Sequence, residues 1–160
     1  EIKRGAIKHG KTETIQFKAD KTGLYQLAVS PGKSAFSISK ANVPIGIYTG
    51  NGLSVINGPQ KLYFRPPPKI KRFSISVHGA RGEEVKCSVF NPEGQKAGST
   101  ESWKKSTITV NPKQSLGRIW HLSLTEPTRG ILEDHTLKLG EKLPPVVTLT
   151  PNYTFTLGEN

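Results

Sequence analysis

Apolar and polar residues alternate with a period of two in many short segments of this chain, which is typical of β-strands with one buried face. In Glu13–Ala19, for example, Ile15, Phe17 and Ala19 fall on one face of the predicted strand. The pattern predicts further strands at Leu24–Val29, Ser34–Ser39, Ile45–Tyr48, Leu53–Ile56, Lys61–Arg65, Arg72–His78, Glu84–Phe90, Thr107–Val110, Arg118–Leu124, Ile131–Leu139 and Val146–Leu149. No window of a dozen residues has helical spacing.

Turn signals separate these strands at intervals of about ten residues. Thr49–Gly52 contains Asn-Gly, which accepts positive φ, so we expect it to close a hairpin between its two flanking strands. Asn91–Gly94 is a β-turn by residue type. Pro66–Pro68 cannot lie inside a central strand and is expected to form a corner where the chain crosses between sheets. Together these features predict an all-β, antiparallel β-sandwich, jelly-roll-like and with no significant helix.

A chain of 160 residues is long enough for one domain with its own core. We expect a basic N-terminal segment at 1–11, a single β-sandwich domain at 12–150 and a C-terminal tail or linker at 151–160. The chain begins at Glu1 and contains no Met, so we expect either that a signal sequence was removed or that the chain was excised from a longer protein. The tail Pro151–Asn160 resembles the start of a linker or a next segment, which favours excision. No apolar run reaches transmembrane length.

The formal net charge is +11, and the two dense clusters of basic residues are Lys3–Lys11 and Arg65–Arg72. Such a surface favours anionic partners, namely acidic or sulfated polysaccharide, nucleic acid or a negatively charged cell envelope. Solubility alone is the alternative explanation of the charge. Nucleic-acid binding is disfavoured, because the strand aromatics fall mostly on inward faces instead of forming a platform for bases.

Motifs of the common enzyme classes are absent: the chain has no GxSxG, HExxH, P-loop or GxGxxG sequence. His121, His135 and Glu133 would make a nominal two-histidine, one-carboxylate metal set if their strands were neighbours. Alternation places the two histidines on opposite sides of the sheet, which argues against that set. Cys87 lies on the apolar face of its strand and is expected to be an inert, buried thiol. We therefore predict a protein without catalysis of its own.

Sugar binding is the more natural use of a rigid sandwich with a few exposed rings, because sugars present apolar C–H faces that pack on aromatic side chains. Trp103 is the first candidate, since it lies in a polar stretch beside Lys104. Tyr48 precedes a glycine-rich turn, and Tyr63 is expected on an outer strand face. The alternative for each ring is that it covers an end of the sandwich. Trp120 is assigned to the core.

Five segments of the chain between Gly23 and Leu143 resemble β-sandwich accessory domains of the galactose-binding-like, carbohydrate-binding-module type, which are attached to bacterial polysaccharide-degrading enzymes. They are GLYQLAV, KLYFRPPPKIKRFSISVHG, EVKCSVFNPEGQ, GRIWHLSLTEP and ILEDHTLKL. In such modules a late strand often carries an acidic pair, one member of which binds a structural calcium. Glu133 and Asp134 resemble that pair, although the family's Asp is Glu here and His135 stands at an apolar position.

The resemblance implies a secreted or cell-surface bacterial module that attaches a catalytic domain of the same parent chain to its polysaccharide. The basic charge favours an anionic glycan. No cofactor is required for this role, apart from the calcium that the resemblance implies at Glu133 and Asp134. A lysine or arginine could compensate these carboxylates equally well, since calcium needs six to eight oxygen ligands. The alternative function is a structural or protein-interaction β-sandwich domain with no sugar binding.

Overall fold

The computed structural model describes residues 3–30, 32–56, 60–112 and 117–154. The chain divides into two compact units, Glu1–Phe36 and Ser37–Asn160. The described residues of the first unit have no regular secondary structure, and all of them are exposed. The second unit carries the strands and is almost entirely β, with two short 3-10 turns at Ala80–Gly82 and Pro151–Tyr153. No helix among the described residues is long and apolar enough to cross a membrane.

Ten antiparallel strands form three sheets in the described part of the chain. They are β1 (Ile47–Tyr48), β2 (Leu53–Ile56), β3 (Gln60–Phe64), β4 (Phe73–Gly79), β5 (Val85–Phe90), β6 (Lys96–Ser102), β7 (Ser106–Val110), β8 (Trp120–Thr125), β9 (Asp134–Leu139) and β10 (Val146–Val147). One sheet has the order β2-β9-β4-β7, and we call it the first sheet. The second sheet has the order β3-β8-β5-β6, and β1 with β10 forms a small third sheet.

The eight strands of the two larger sheets pair in a nested manner. Strand β5 pairs with β6, β4 with β7, β3 with β8, and β2 with β9. The two sheets are completed by the pairs β4–β9 and β5–β8. Eight strands in two four-stranded antiparallel sheets with this nested order are a jelly roll, so the predicted fold class is confirmed.

The core lies between the two larger sheets, because alternate residues of both point inward. The buried apolar residues are Leu62, Phe64, Phe73, Ile75, Val77, Val85, Cys87, Val89, Ile108, Val110, Trp120, Leu122, Leu124, Leu132, Leu137, Leu139, Leu143 and Val147. Three aromatic rings pack between the sheets: Phe73 of the first sheet makes T-shaped contacts with Phe64 and Trp120 of the second, at centroid distances of 5.7 and 5.3 Å. The assignment of Trp120 to the core is therefore confirmed.

The sequence predictions between residues 53 and 139 are largely confirmed. Strands form where alternation predicted them, with bounds that differ by a few residues. Pro66–Pro68 lies between β3 and β4, and hence where the chain passes from the second sheet to the first. Asn91–Gly94 is a turn closed by a hydrogen bond from the Gly94 N–H to the Asn91 carbonyl, with an N–O distance of 3.0 Å.

Three predicted strands, at Glu13–Ala19, Leu24–Val29 and Ser34–Ser39, are wrong. All three segments lack strand structure, and their apolar side chains are exposed; Leu24, for instance, is 74% exposed. Alternation describes one face of a strand but supplies no pairing partner, and a strand needs that partner to satisfy its backbone groups. The predicted domain boundaries stay a prediction.

Other corrections concern pairing. Thr49–Gly52 forms a turn, but β1 pairs with β10 and β2 pairs with β9, so it closes no hairpin. Strand β6 was missed, since Lys96–Ser102 is a largely polar edge strand with no buried residue. The two strands within Gly117–Leu139, β8 and β9, belong to different sheets.

Candidate functional site

The outer face of the second sheet carries a row of aromatic side chains that runs across three strands. Tyr63 of β3 is the Cα partner of His121 of β8, and His121 is in turn the partner of Phe90 of β5. All three residues are half-buried. They lie on the face opposite the core because their sequence neighbours Leu62, Leu122 and Val89 point inward.

The rings of this row contact one another and hold His121 in place. His121 and Phe90 are stacked, with centroids 4.8 Å apart and planes 9° apart. Tyr63 tilts against the other side of His121 at a centroid distance of 5.9 Å. The ammonium of Lys61 lies 5.6 Å from the centre of the Tyr63 ring, within the range of a cation–π contact.

Burial among these rings lowers the pKa of His121 below its ordinary value, and the positive charge of Lys61 lowers it further. Both causes disfavour the imidazolium form. At neutral pH the imidazole is therefore uncharged and can both donate and accept a hydrogen bond. The result is a row of three uncharged rings on the outer face of the sheet.

An open depression of about 470 Å³ lies at one end of this row. Its volume falls in the range of small-ligand sites. Tyr63 and His121 form its aromatic wall, and Phe90 supports His121 from behind. The remaining wall is formed where β3 ends, β8 begins and the β5–β6 turn folds over, and its residues are Arg65, Asn91, Pro92, Gly94, Gly117, Arg118, Ile119 and Pro151.

The β5–β6 turn is held rigidly beside the depression. The Asn91 side chain accepts a hydrogen bond from the Gln95 N–H at 2.7 Å, and its amide nitrogen donates to the Gln95 side chain at 2.9 Å. Gly94 has φ = 79°, a left-handed conformation that glycine adopts without strain. Asn91 thus uses both polar atoms of its side chain inside the turn.

Two arginines supply the positive charge of the depression. Arg118 Nη1 makes an ion pair with the Glu93 carboxylate of the same turn. Arg65, directly after β3, is half-buried, and its Nε is buried with no hydrogen-bond acceptor among the described residues. No carboxylate is found among the described residues that line the depression. The site therefore combines an aromatic wall with cationic hydrogen-bond donors.

Trp103 and Lys104, which the sequence analysis proposed as ligand-binding residues, do not line the depression. They occupy the turn between β6 and β7, and Trp103 is 48% exposed. Ser102 pairs with Val85 at the start of β5, whereas Phe90 ends that strand, so Trp103 lies roughly 15–20 Å along the sheet from the aromatic row.

The Trp103 ring lies beside the Thr125–Gly130 connection. A Cβ on Gly130 would be 3.9 Å from Cη2 of the indole. The same connection is anchored by Glu101, whose carboxylate accepts the Thr128 N–H and pairs with Lys86 at 3.3 Å. Hydrogen bonds from Thr128, followed by the charge of Lys86, lower the pKa of Glu101. Trp103 and Lys104 therefore form a separate surface.

Tyr48, the third nominated ring, lies on β1 and is exposed. Its ring lies over Gly50, so a side chain at that position would require the tyrosine to move. Thr148, directly after β10, forms a backbone bridge with Tyr63, so β10 lies beside β3 and β1 lies beyond it. The structure therefore brings the strand of Tyr48 to within two strands of Tyr63, but Tyr48 does not line the depression.

The acidic pair nominated for calcium lies at the start of β9. Glu133 is exposed and not on the core face, and Asp134 is half-buried. The N–H groups of both residues donate to Oε2 of Glu83, at 3.2 and 2.7 Å. No group of three or more His, Cys, Asp or Glu side chains in the described ranges could hold a metal ion. The calcium stays a prediction.

Two further groups considered for chemistry are buried in the core. His135 lies in the first sheet, far from the outer face that carries His121, so the two cannot share a metal ion. Burial lowers the pKa of His135, and the nearby charges of Glu83 and Asp134 oppose that shift. Burial raises the pKa of the Cys87 thiol to about 12, so the thiol is protonated at neutral pH.

The sequence analysis proposed one wall residue of the depression, Tyr63, and placed His121 on the side opposite to His135. It missed Phe90, Arg65 and Arg118 as members of a common site. Alternation could have placed Phe90 and His121 on outer faces, but their contact depends on the pairing of β5 with β8. A single sequence gives no direct signal for that pairing.

Neither a scan against models of known protein families nor a search of curated proteins finds a match to this chain.

Proposed function

We propose that the protein is a non-catalytic carbohydrate-binding module that binds a saccharide in the depression beside Tyr63 and His121. The observation that carries this proposal is the convergence of two aromatic rings with arginine donors on one open surface of a rigid jelly roll. Saccharides need this combination, because each sugar ring has apolar C–H patches and a rim of hydroxyl groups. Tyr63 would contact the C–H patches, and the arginines would donate to the hydroxyl oxygens.

The rigidity of the site also supports binding. The His121–Phe90 stack and the Asn91–Gln95 hydrogen bonds fix both walls before a ligand arrives. A preformed site avoids part of the entropic cost of ordering side chains on binding. As in our sequence interpretation, the module would concentrate a catalytic domain of the same secreted bacterial parent on its polysaccharide, an effective-concentration effect.

The test is a quantitative binding panel of soluble polysaccharides, measured by calorimetry and affinity electrophoresis. Two single substitutions form a matched pair: Tyr63→Ala removes the ring at the depression, and Trp103→Ala removes an exposed ring on the separate surface. We expect Tyr63→Ala to weaken binding by about tenfold or more, as truncation of a central aromatic contact does, and Trp103→Ala to have little effect.

The opposite outcome, in which only Trp103→Ala abolishes binding, would mean that the saccharide binds at Trp103 and Lys104 instead of in the depression. Tyr48→Ala, on the strand two positions away, tests whether the ligand extends past β10. If the wild-type protein binds no glycan of the panel, the alternative function of a structural or protein-interaction domain replaces this one. Thermal unfolding of each variant is the control, because it shows whether a loss of binding comes from unfolding of the jelly roll.

A further inference from the structure

The charges around the depression select among saccharides. Arg65 and Arg118 both line it, and the described lining residues include no carboxylate. Glu93 pairs with Arg118 from the adjoining turn. Lys61, across the Tyr63 ring, adds a third positive charge close to the aromatic wall. Because arginine and lysine stay protonated at neutral pH, the local potential is positive whatever the state of His121.

Arg65 is the more informative of the two arginines. Its Nε is buried and finds no acceptor among the described residues, although buried hydrogen-bond donors almost always have one. The guanidinium has five N–H donors in a planar fork that matches the two oxygens of a carboxylate or sulfate group. Because Nε is buried, an oxyanion in the depression would be bound through the terminal Nη groups of Arg65, which are not among the buried atoms that lack a partner.

Arg118 adds a second set of donors. Its ion pair with Glu93 is made through Nη1, which orients the guanidinium and leaves N–H groups on the other nitrogens. The Asn91 side chain, by contrast, is already hydrogen-bonded to Gln95 at both polar atoms. The polar recognition that the depression offers is therefore mostly cationic.

We infer that the depression is a subsite for the anionic substituent of an acidic saccharide, a carboxylate or a sulfate ester, with Arg65 as its main ligand and Arg118 as the second. This inference rests on the proposed function and narrows its ligand from saccharides in general to those that carry a negative charge beside an apolar sugar face. The sugar ring packs on Tyr63, and its oxyanion points to the arginines.

Two matched pairs of polymers test the inference by calorimetry at physiological ionic strength. Polygalacturonate is compared with its fully methyl-esterified form, and dextran sulfate is compared with dextran. We expect the wild-type protein to bind an anionic member at least about tenfold more tightly than its neutral partner. Preference within the first pair identifies a carboxylate as the ligand, and preference within the second identifies a sulfate.

Two variants test the residues, and a third controls for total charge. Arg65→Gln and Arg118→Gln each remove one charge at the depression, and Lys138→Gln removes one charge from an exposed position on β9 of the other sheet. We expect the arginine variants to lose about tenfold or more in affinity for the anionic polymer, and Lys138→Gln to change it less than about twofold. Should Arg65→Gln fail to fold, the more exposed Arg118 still provides the comparison.

The outcomes separate this inference from the proposed function. Equal binding of neutral and anionic polymers, abolished by Tyr63→Ala, would overturn the oxyanion subsite and leave saccharide binding intact. Equal losses in Arg65→Gln and Lys138→Gln would mean that only overall charge acts, which also overturns the subsite. If no polymer of either pair is bound, the oxyanion subsite fails, and the wider polysaccharide panel then decides whether saccharide binding fails as well.

Discussion

The imidazole of His121 and the phenyl ring of Phe90 stack face to face across β8 and β5, with their planes 9° apart. Phe90 does not line the depression, whereas His121 does. The phenyl ring therefore acts on the site through the imidazole: it fixes the ring and excludes water from one of its faces. Burial is the main cause of the lowered pKa of His121, and the stacked phenyl ring contributes to that burial.

Removing the stacking partner should raise the pKa of His121. In Phe90→Ala the imidazole is more hydrated, so its charged form is penalised less and the pKa returns towards 6.5. Lys61→Gln should shift the pKa in the same direction by removing the opposing positive charge. NMR titration of the imidazole C–H signals measures both shifts. A pKa that is unchanged in Phe90→Ala would contradict the shielding role.

His135 should make the stability of the protein depend on pH. Its folded-state pKa is lowered, so below about pH 6.5 the unfolded chain binds the proton more readily and the free energy of unfolding decreases as the pH falls. The slope from this one group is at most about 1.4 kcal/mol per pH unit. Stability is fully retained above about pH 6.5.

His135→Leu is the matched comparison for this effect. Both imidazole nitrogens lack hydrogen-bond partners among the described residues, so leucine removes a buried polar group of similar size without leaving another one unpaired. Urea unfolding of both proteins at several pH values should show a smaller loss of stability at acid pH in the variant. Parallel pH profiles would mean that other groups cause the acid sensitivity.

Phe73→Ala should be among the most destabilising single substitutions. Its ring is buried and contacts Phe64 and Trp120 across the two sheets, so alanine leaves a cavity between them. Truncation of a buried phenylalanine costs about 3–5 kcal/mol. Denaturant midpoints measure the loss, and Phe73→Leu, which fills more of the space, should cost clearly less. Equal losses in the two variants would argue against a packing origin.

Gly94→Ala should destabilise the β5–β6 turn, which forms one wall of the depression, because of its backbone conformation. Gly94 has φ = 79°, and no atom lies within 4 Å of the position that a Cβ would occupy, so the penalty is conformational and not steric crowding. A left-handed conformation costs an ordinary L-residue roughly 1–2 kcal/mol. Gly94→Asn should cost less, because asparagine tolerates this region better. Thermal unfolding distinguishes the two, and equal melting temperatures would contradict the explanation.

The sequence predicts a strand of the jelly roll best where one face of that strand is buried in the core between the two sheets. In β4, for instance, Phe73, Ile75 and Val77 alternate with more polar residues, and all three are buried. Alternation does not predict strand β6, because this edge strand consists of small and polar residues and has no regular apolar positions. Alternation also overpredicts: Phe17 and Leu27 follow the pattern equally well, yet both are exposed.

The candidate site was predicted only in part, because it depends on contacts between residues far apart in sequence. Tyr63 was predicted as a ligand-binding residue from the pattern of its own strand. It forms the aromatic wall of the depression together with His121, however, and the two are neighbours only because β3 pairs with β8. The burial of Arg65 Nε likewise could not be predicted from the sequence. By contrast, Trp103 was nominated for its polar surroundings, and it is indeed exposed, although on another surface.

The nested pairing of the strands bears on how the chain reaches its fold. Among the described strands that pair with each other, only β5 and β6 are joined by a short turn, whereas β2 pairs with β9, about 80 residues further along the chain. Such non-local pairing slows folding, because long loops must close before the contacts that reward closure can form. Before β9 is in place, β2 has no strand partner in its sheet and β4 is paired only with β7. The sheet is therefore most exposed to intermolecular strand pairing in folding intermediates that lack β9.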